Sequence, residues 1–296
     1  MNHLVAMPID NALAASIGKK GTEGSMIFYN RKVGDGIVTV LAPADLEGKF
    51  HALPNSLILA EQIVISTASV DRAFGEAVVA ASLLKKRTIF TKDNDVSAII
   101  SGTGFEGLSL SDKDGLLDAI LSYRNPPSDG PVRVEMDRSF NVKGVGTVLL
   151  GIVTRGVLRK HDKLYSMSGK EIIVRSIQCQ DEDVNEAGLY ARVGIAAKGI
   201  DEKDVNKGEL LSTARIPGVR SIDAELRESG FAKEQIGNGA QYQLFTGFGS
   251  CSCVVSAKEG ANATLALDKE LQIERGDTVL LGRQKQPRIF ASCMVR

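Results

Sequence analysis

Tryptophan is absent from this chain of 296 residues, and aromatic residues make up only 5% of it, so its core must be aliphatic. Cysteine is scarce too. Cys179, Cys251, Cys253 and Cys293 lack zinc spacing, since Cys251-Ser252-Cys253 is one residue short of C-x-x-C. They read as reduced thiols acting as small core residues. Net charge is missing as well: Lys plus Arg equals Asp plus Glu at 36 each. That balance excludes a general pull towards nucleic acid, so any RNA contact must use a local patch. No apolar run approaches the ~20 residues of a membrane span, and Met1 to Asp10 has no signal-peptide character. The expectation is a cytoplasmic protein with no membrane partner. What remains is an ordinary globular mix, 43% hydrophobic and 24% charged, with length for two or three domains.

Residues 1–124 read as an α/β unit. Apolar runs at Leu4–Ile9, Ser25–Asn30 and Gly36–Leu41 suggest strands, and Leu53–Glu61 suits a helix leading into a buried strand at Gln62–Thr67. Asp71 can cap a helix from Arg72 to Lys85, whose Phe74, Ala77, Val78, Ala81 and Leu84 share one face. A strand at Arg87–Thr91 and a helix at Gly115–Leu121 complete the alternation, which predicts a parallel, covered sheet. Asn125-Pro126-Pro127-Ser128-Asp129-Gly130-Pro131 then reads as a linker. Beyond it only strand patterns follow, as expected of two β-barrels at 132–214 and 219–296, with a junction near Pro217.

The clearest pattern in the chain is Phe140-Asn141-Val142-Lys143-Gly144-Val145-Gly146-Thr147-Val148. A half-buried strand reverses at a glycine turn into a β-branched strand. These residues resemble the opening of domain two of the translational GTPases, the family of elongation factor Tu, the selenocysteine-specific elongation factor and the gamma subunit of archaeal initiation factor two. Arg175-Ser176-Ile177-Gln178, Glu186-Ala187-Gly188, Arg192-Val193-Gly194-Ile195 and Lys198-Gly199-Ile200 fit the rest of that domain in order. Gln241 to Gly247, Ala266 to Lys269 and Arg275-Gly276-Asp277 hold positions similar to domain three. The resemblance implies a P-loop GTPase-like α/β domain followed by two β-barrels.

It also implies GTP or GDP, with Mg2+ if GTP binds, yet the nucleotide motifs are eroded. In G-x-x-x-x-G-K-[ST] the backbone amides, lysine and hydroxyl hold the phosphates and magnesium. Here Gly18-Lys19 stands in the expected region, Leu13 takes the first glycine place, and Lys20 stands for the hydroxyl residue. Gly21-Thr22 offers a late hydroxyl. The run Gly18, Lys19, Lys20, Gly21, Thr22 is either an anion nest or a solvated basic turn. For the guanine motif N-K-x-D the chain has Thr91-Lys92-Asp93-Asn94. Asp45-Leu46-Glu47-Gly48 spells D-x-x-G but far past Leu41, and no histidine stands where the family positions its water. A degenerate site with inefficient hydrolysis is the expectation.

The family's domain two binds the 3′ end of aminoacyl-tRNA, and the resemblance carries that role to this chain. Phe140, Val142, Gly144 and Val148 match the slot for the terminal base, Gln178 and Asp181 fall near the terminal nucleotide, and Arg192 fits a position facing the aminoacyl group. The bland alternative makes Phe140, Val142 and Val148 barrel core and Arg192 a solvated strand-end charge. Aminoacyl-tRNA, and through it the ribosome, are the implied partners. A GTP-switch factor with a divergent nucleotide site and a ligand-free scaffold remain the competing classes.

Overall fold

The computed structural model describes residues 1–45, 50–105, 109–124, 128–232, 234–284 and 288–296. The D-x-x-G candidate at Leu46–Gly48 and the Asn125-Pro126-Pro127 part of the linker lie outside them.

The first sheet contains β1 (His3–Ala6), β2 (Lys19–Glu23), β3 (Met26–Val33), β4 (Gly36–Pro43), β5 (Gln62–Ile65), β6 (Arg87–Thr91) and β7 (Ser109–Ser111), in the order β2-β3-β4-β1-β5-β6-β7. Strands β4, β1, β5, β6 and β7 run parallel, but β3 is reversed and pairs antiparallel with both β4 and the edge strand β2. The all-parallel expectation is therefore corrected at this edge. The tight turn after Val33 closes a β3–β4 hairpin, which forces antiparallel pairing. Helices α1 (Asn11–Ile17), α2 (Ala52–Leu59), α3 (Arg72–Leu84), α4 (Ser97–Ile100) and α5 (Leu116–Leu121) accompany the sheet. Strand alternation divides the apolar side chains between its faces. Val5, Val64 and Ile89 pack with Leu13 of α1 and Ile120 of α5. Ala6, Ile63, Ile65 and Phe90 pack with Leu53 and Leu57 of α2 and Phe74 of α3.

A second group of strands comprises β8 (Arg133–Val142), β9 (Gly146–Arg155), β10 (Leu158–Arg159), β11 (Lys163–Tyr165), β12 (Glu171–Cys179), β13 (Glu182–Val184), β14 (Glu186–Ala187), β15 (Arg192–Lys198) and β16 (Leu210–Ser212). Pairing runs β11-β16-β8-β9-β15-β12 and returns from β12 to β11, closing a barrel around Val134, Leu149, Ile172 and Ile195. The third group, β17 (Gly218–Glu228), β18 (Gln241–Thr246), β19 (Gly249–Glu259), β20 (Asn262–Gln272), β21 (Thr278–Gly282) and β22 (Ile289–Val295), forms a second closed barrel. Leu244, Val255, Leu265 and Phe290 fill it. The mixed α/β and all-β architecture expected from the sequence is observed.

The three bodies share apolar contacts. The helix face of the first sheet extends without a break into Phe245, Leu280 and Ile289 of the last barrel, with Phe50 and Phe245 edge-to-face at 5.5 Å. At a second junction Phe28 and Leu41 of the first sheet meet Ile152 of β9 and Phe248 beside β18. No helix among the described residues is long and apolar enough to cross a membrane.

All four cysteines are buried and unpaired. Burial pushes the thiols of Cys251 and Cys253 up to about 12 and that of Cys179 up to about 11. Since the thiolate is the reactive form, the folded protein should be inert to a disulfide-exchange reagent at neutral pH, and all four thiols should titrate once denaturant is added. A rapid titration of even one thiol in the folded state would contradict this packing.

Candidate functional site

The carboxyl edge of the parallel strands is where an α/β sheet binds phosphates, at the amino end of the following helix. Here that end is α1, and Asp10 occupies it. One Asp10 carboxylate oxygen accepts the Leu13 amide at 2.8 Å, and the other accepts the Ser66 hydroxyl at 2.7 Å. Leu13, which follows within the same turn, is buried in the apolar core. A carboxylate already satisfies the positive end of this helix and repels a phosphate.

The expected anion nest lies elsewhere. Gly18 stands at the carboxyl end of α1 in extended conformation, its amide bonded to the Ala14 carbonyl, and Lys19, Lys20, Gly21 and Thr22 belong to β2. Gly18 is glycine because a Cβ there would come within 2.9 Å of the Asn30 backbone in β3. Helix carboxyl ends carry partial negative charge, so the phosphate assignment at Gly18 to Thr22 is corrected by this geometry.

The loop after β6 is closed on itself. The Thr67 amide donates to the Thr91 hydroxyl, which donates to Asp93 at 2.6 Å. The Asn94 side chain donates to the Thr67 carbonyl at 2.7 Å. The Thr91 hydrogen bond, with Lys113 3.1 Å away, holds the Asp93 carboxyl below the usual carboxylate range. Lys92 is exposed. These groups satisfy one another where a guanine base would need open acceptors. Neither the α1 end nor this loop fits a magnesium nucleotide.

A different site assembles on the outer face of the second group of strands. Phe140 pairs with Val148 and Val142 with Gly146 across the β8–β9 hairpin. Phe140 and Val142 are each 36% exposed and Val145 is 38% exposed, so these residues are not barrel core. Gly144 turns the chain with φ +82°, and a Cβ there would meet nothing within 4 Å. Gly144 thus serves the turn and clears no slot. The same face continues along β9 from Val148 to Leu150 and Ile152, which pair with Ala196, Gly194 and Arg192 of β15.

Leu150, Gly194 and Arg192 form one wall of a cavity of about 440 Å³. Its opposite wall is β2, with Lys19, Lys20 and Thr22. Gln178, Gln180 and Asp181 line it too. The structure therefore joins the expected nucleotide residues of β2 to the expected aminoacyl-tRNA residues Gln178, Asp181 and Arg192, and leaves Thr91, Lys92 and Asp93 apart. Gln180 and Asp181 both adopt left-handed backbone, at φ +49° and +63°. This is the two-residue turn of the β12–β13 hairpin, held without the glycine that such turns favour. Gly194 has no positive φ, and a Cβ there would make ordinary contact with Leu150 at 3.4 Å. Nothing in the fold demands glycine at this mid-strand position, and a larger side chain there would extend into the cleft.

Arg192 anchors the cleft. Its Nη2 donates to Asp137 at 3.0 Å, and its guanidinium carbon lies 3.4 Å from the centroid of the Phe28 ring. Asp137 is only 3% exposed and also has Arg138 and Lys207 at 3.5 Å. Burial pushes the Arg192 pKa down, while Asp137 draws it up. Nη1 of Arg192 is buried with no hydrogen-bond partner among the described residues. Sequence reasoning missed Leu150, Gln180, Gly194, Asp137 and Phe28. Gly194 alone left a signal, as a glycine inside an apolar strand pattern.

A family model described as elongation factor Tu domain 2 matches residues 146–212, the stretch that builds this face. Elongation factor 1-alpha of Methanosarcina mazei is 27% identical over 204 residues, 62% of this chain and 48% of its own length. The selenocysteine-specific elongation factor of Methanocaldococcus jannaschii is 30% identical over 170 residues, 55% of this chain and 35% of its own. Over these stretches the chain is similar to elongation factors of the translational GTPase family. The chain spans about half the length, or less, of those elongation factors. It matches an uncharacterised protein of Methanocaldococcus jannaschii over nearly its whole length, at 28% identity over 275 residues, 90% of this chain and 89% of that one. Translation elongation factor SelB of Methanococcus maripaludis, solved with the GTP analogue GppNHp, superposes with a TM-score of 0.82 at 20% identity, covering 100% of this chain and 78% of SelB. That likeness is one of fold. The similarities support a translation-factor-like role.

Replacing Arg192 with Ala should cost about 3–5 kcal/mol in urea unfolding, because it strands a buried carboxylate. A loss under about 1 kcal/mol, the range of an exposed ion pair, would show that Arg138 and Lys207 suffice to hold Asp137.

Proposed function

We propose that this protein is a translation factor that holds the acceptor end of an aminoacyl-tRNA, with units at 1–124, 132–214 and 219–296. The terminal base stacks on Phe140 and Val148, a contact worth roughly 1–3 kcal/mol per base. The chain of the tRNA then runs over Leu150 and Gly194 into the cleft, where the aminoacyl ester meets Arg192. The observation that carries this reading is Arg192, a cleft-lining cation on the same strand face as the exposed apolar hairpin. A guanidinium held in place by Asp137 favours an ester carbonyl beside it, and an ester shielded from water is protected from hydrolysis. Lys19 and Lys20 supply local charge for phosphates in a chain of zero net charge. Guanine nucleotide binds weakly at best and its turnover is slow. The protein works in the cytoplasm, and contact with the ribosome follows from delivery of the tRNA.

The test is protection of aminoacyl esters against spontaneous hydrolysis across a panel of charged tRNAs. The parent should protect at least one ester. Gly194→Leu should abolish protection while leaving the unfolding curve in place, because it fills the cleft floor without disturbing a left-handed backbone. If Gly194→Leu protects every ester as the parent does, the acceptor end lies elsewhere and a ligand-free scaffold becomes the better reading.

Lys19→Ala should weaken binding of charged tRNA and lower the slope of log affinity against log salt by about one. An unchanged slope would remove β2 from the RNA contact.

A further inference from the structure

The closed loops at the carboxyl edge of the first sheet and the seams between the three bodies bear on how the cleft is regulated. We infer that the cleft is permanently assembled: the α/β unit is held in one position against both barrels, and no nucleotide is needed to bring it there. This rests on the acceptor-end reading only for the identity of the ligand.

Relative motion is the default expectation for domains joined by polar interfaces, and a large apolar interface removes it. The seams here are apolar at their centres. Phe28, Ile152 and Phe248, one from each body, are 1%, 0% and 4% exposed. Phe245, Leu280 and Ile289 of the last barrel sit within the core that α2 and α3 make with the first sheet. Parting these surfaces would return several large apolar side chains to water at once, which opposes separation. Polar groups fix the register around them. Ser292 donates to the Leu83 carbonyl at 2.9 Å, Arg288 forks onto Glu76, and Lys207 donates to Ser25 at 3.1 Å. Arg192, in the second barrel, lies over the Phe28 ring of the first sheet. Since β2 is the cleft's far wall, fixing Phe28 in the adjacent strand fixes the cleft width.

A ligand shifts a conformational equilibrium only through different affinities for its two states. The places where a nucleotide would exert such a difference are engaged internally. Asp10 supplies the anion at α1, and Thr67, Thr91, Asp93 and Asn94 bond to one another. Among the described residues, neither place offers a free donor set through which a nucleotide could favour one arrangement over another.

The test is a distance measurement by double electron–electron resonance on the full chain. Spin labels go on Ala15→Cys of α1 paired with Lys203→Cys of the second body, and on Ala15→Cys paired with Glu259→Cys of the third. These positions are exposed, and the native cysteines are buried and will not compete. Each pair should give one distance distribution, with the same maximum without ligand, with GTP and Mg2+, and with GDP and Mg2+. Phe28→Leu, which removes the ring beneath Arg192 and keeps the site apolar, should broaden the first distribution. A second population in the absence of nucleotide, or a shift on adding GTP, would overturn the inference. So would an unaltered distribution in Phe28→Leu, which would deny the junction its locking role. Ester protection measured on the same samples separates this inference from the acceptor-end reading. Constant distances with no protection would remove the tRNA and leave the closed arrangement standing.

Discussion

A buried carboxylate must have a partner, and Asp137 draws its partners from three places in the chain. Arg192 comes from the adjoining face of the same barrel, Lys207 from the loop before β16, and Arg138 from the next residue along β8. Satisfying Asp137 determines where the Arg192 guanidinium lies. A flat cation in that position needs a flat apolar surface on its other side, and Phe28 of the first sheet provides it. One desolvated charge thereby sets the orientation of an α/β unit against a barrel. Phe28 in turn packs near Phe248, with ring centroids 6.4 Å apart, which brings the last barrel into the same junction.

The two ends of α1 show how short elements settle competing uses of a surface. Its amino end takes Asp10 as its cap, and its carboxyl end runs straight into an edge strand that borders the cleft. The sheet keeps the topology of a nucleotide-binding domain, since topology follows from alternating apolar strands and covering helices. The chemistry at its carboxyl edge depends on a few polar side chains, and those are turned inward to one another. Fold and site therefore rest on different residues and can diverge independently.

Much of the fold was legible because it is written in periodicity. The Arg72–Lys85 helix, its Asp71 cap and the buried strand at Gln62 follow from spacing alone, and all are present. The strand at Lys19–Glu23 was not legible. Lys-Lys-Gly-Thr-Glu has no apolar alternation, and it is extended because β3 offers it an edge, which is a tertiary cause. The same blindness misplaced the phosphate site, because a glycine beside lysines reads as a loop until its neighbour in space is known. At the candidate site Phe140 and Val142 are exposed on the hairpin, whereas Gly144, credited with clearing a slot, serves the turn instead. Gly144 and Gly194 differ in backbone angle and in what surrounds an added Cβ, and neither property is visible in a string of letters. Asp137 and Phe28 could not be paired with Arg192 from sequence, since their contacts cross between separate sheets.

The far wall of the cleft is a single edge strand, β2, belonging to a body that contributes none of the remaining lining except Asn30. The α/β unit is in that sense masonry rather than machinery. Deleting it would not release the barrel from control but would unroof the cleft and expose any ester held there to water. Substitutions deep in the first sheet, far from any ligand, would then register as a leaking site, because the strand that seals it is only as well placed as the core behind it.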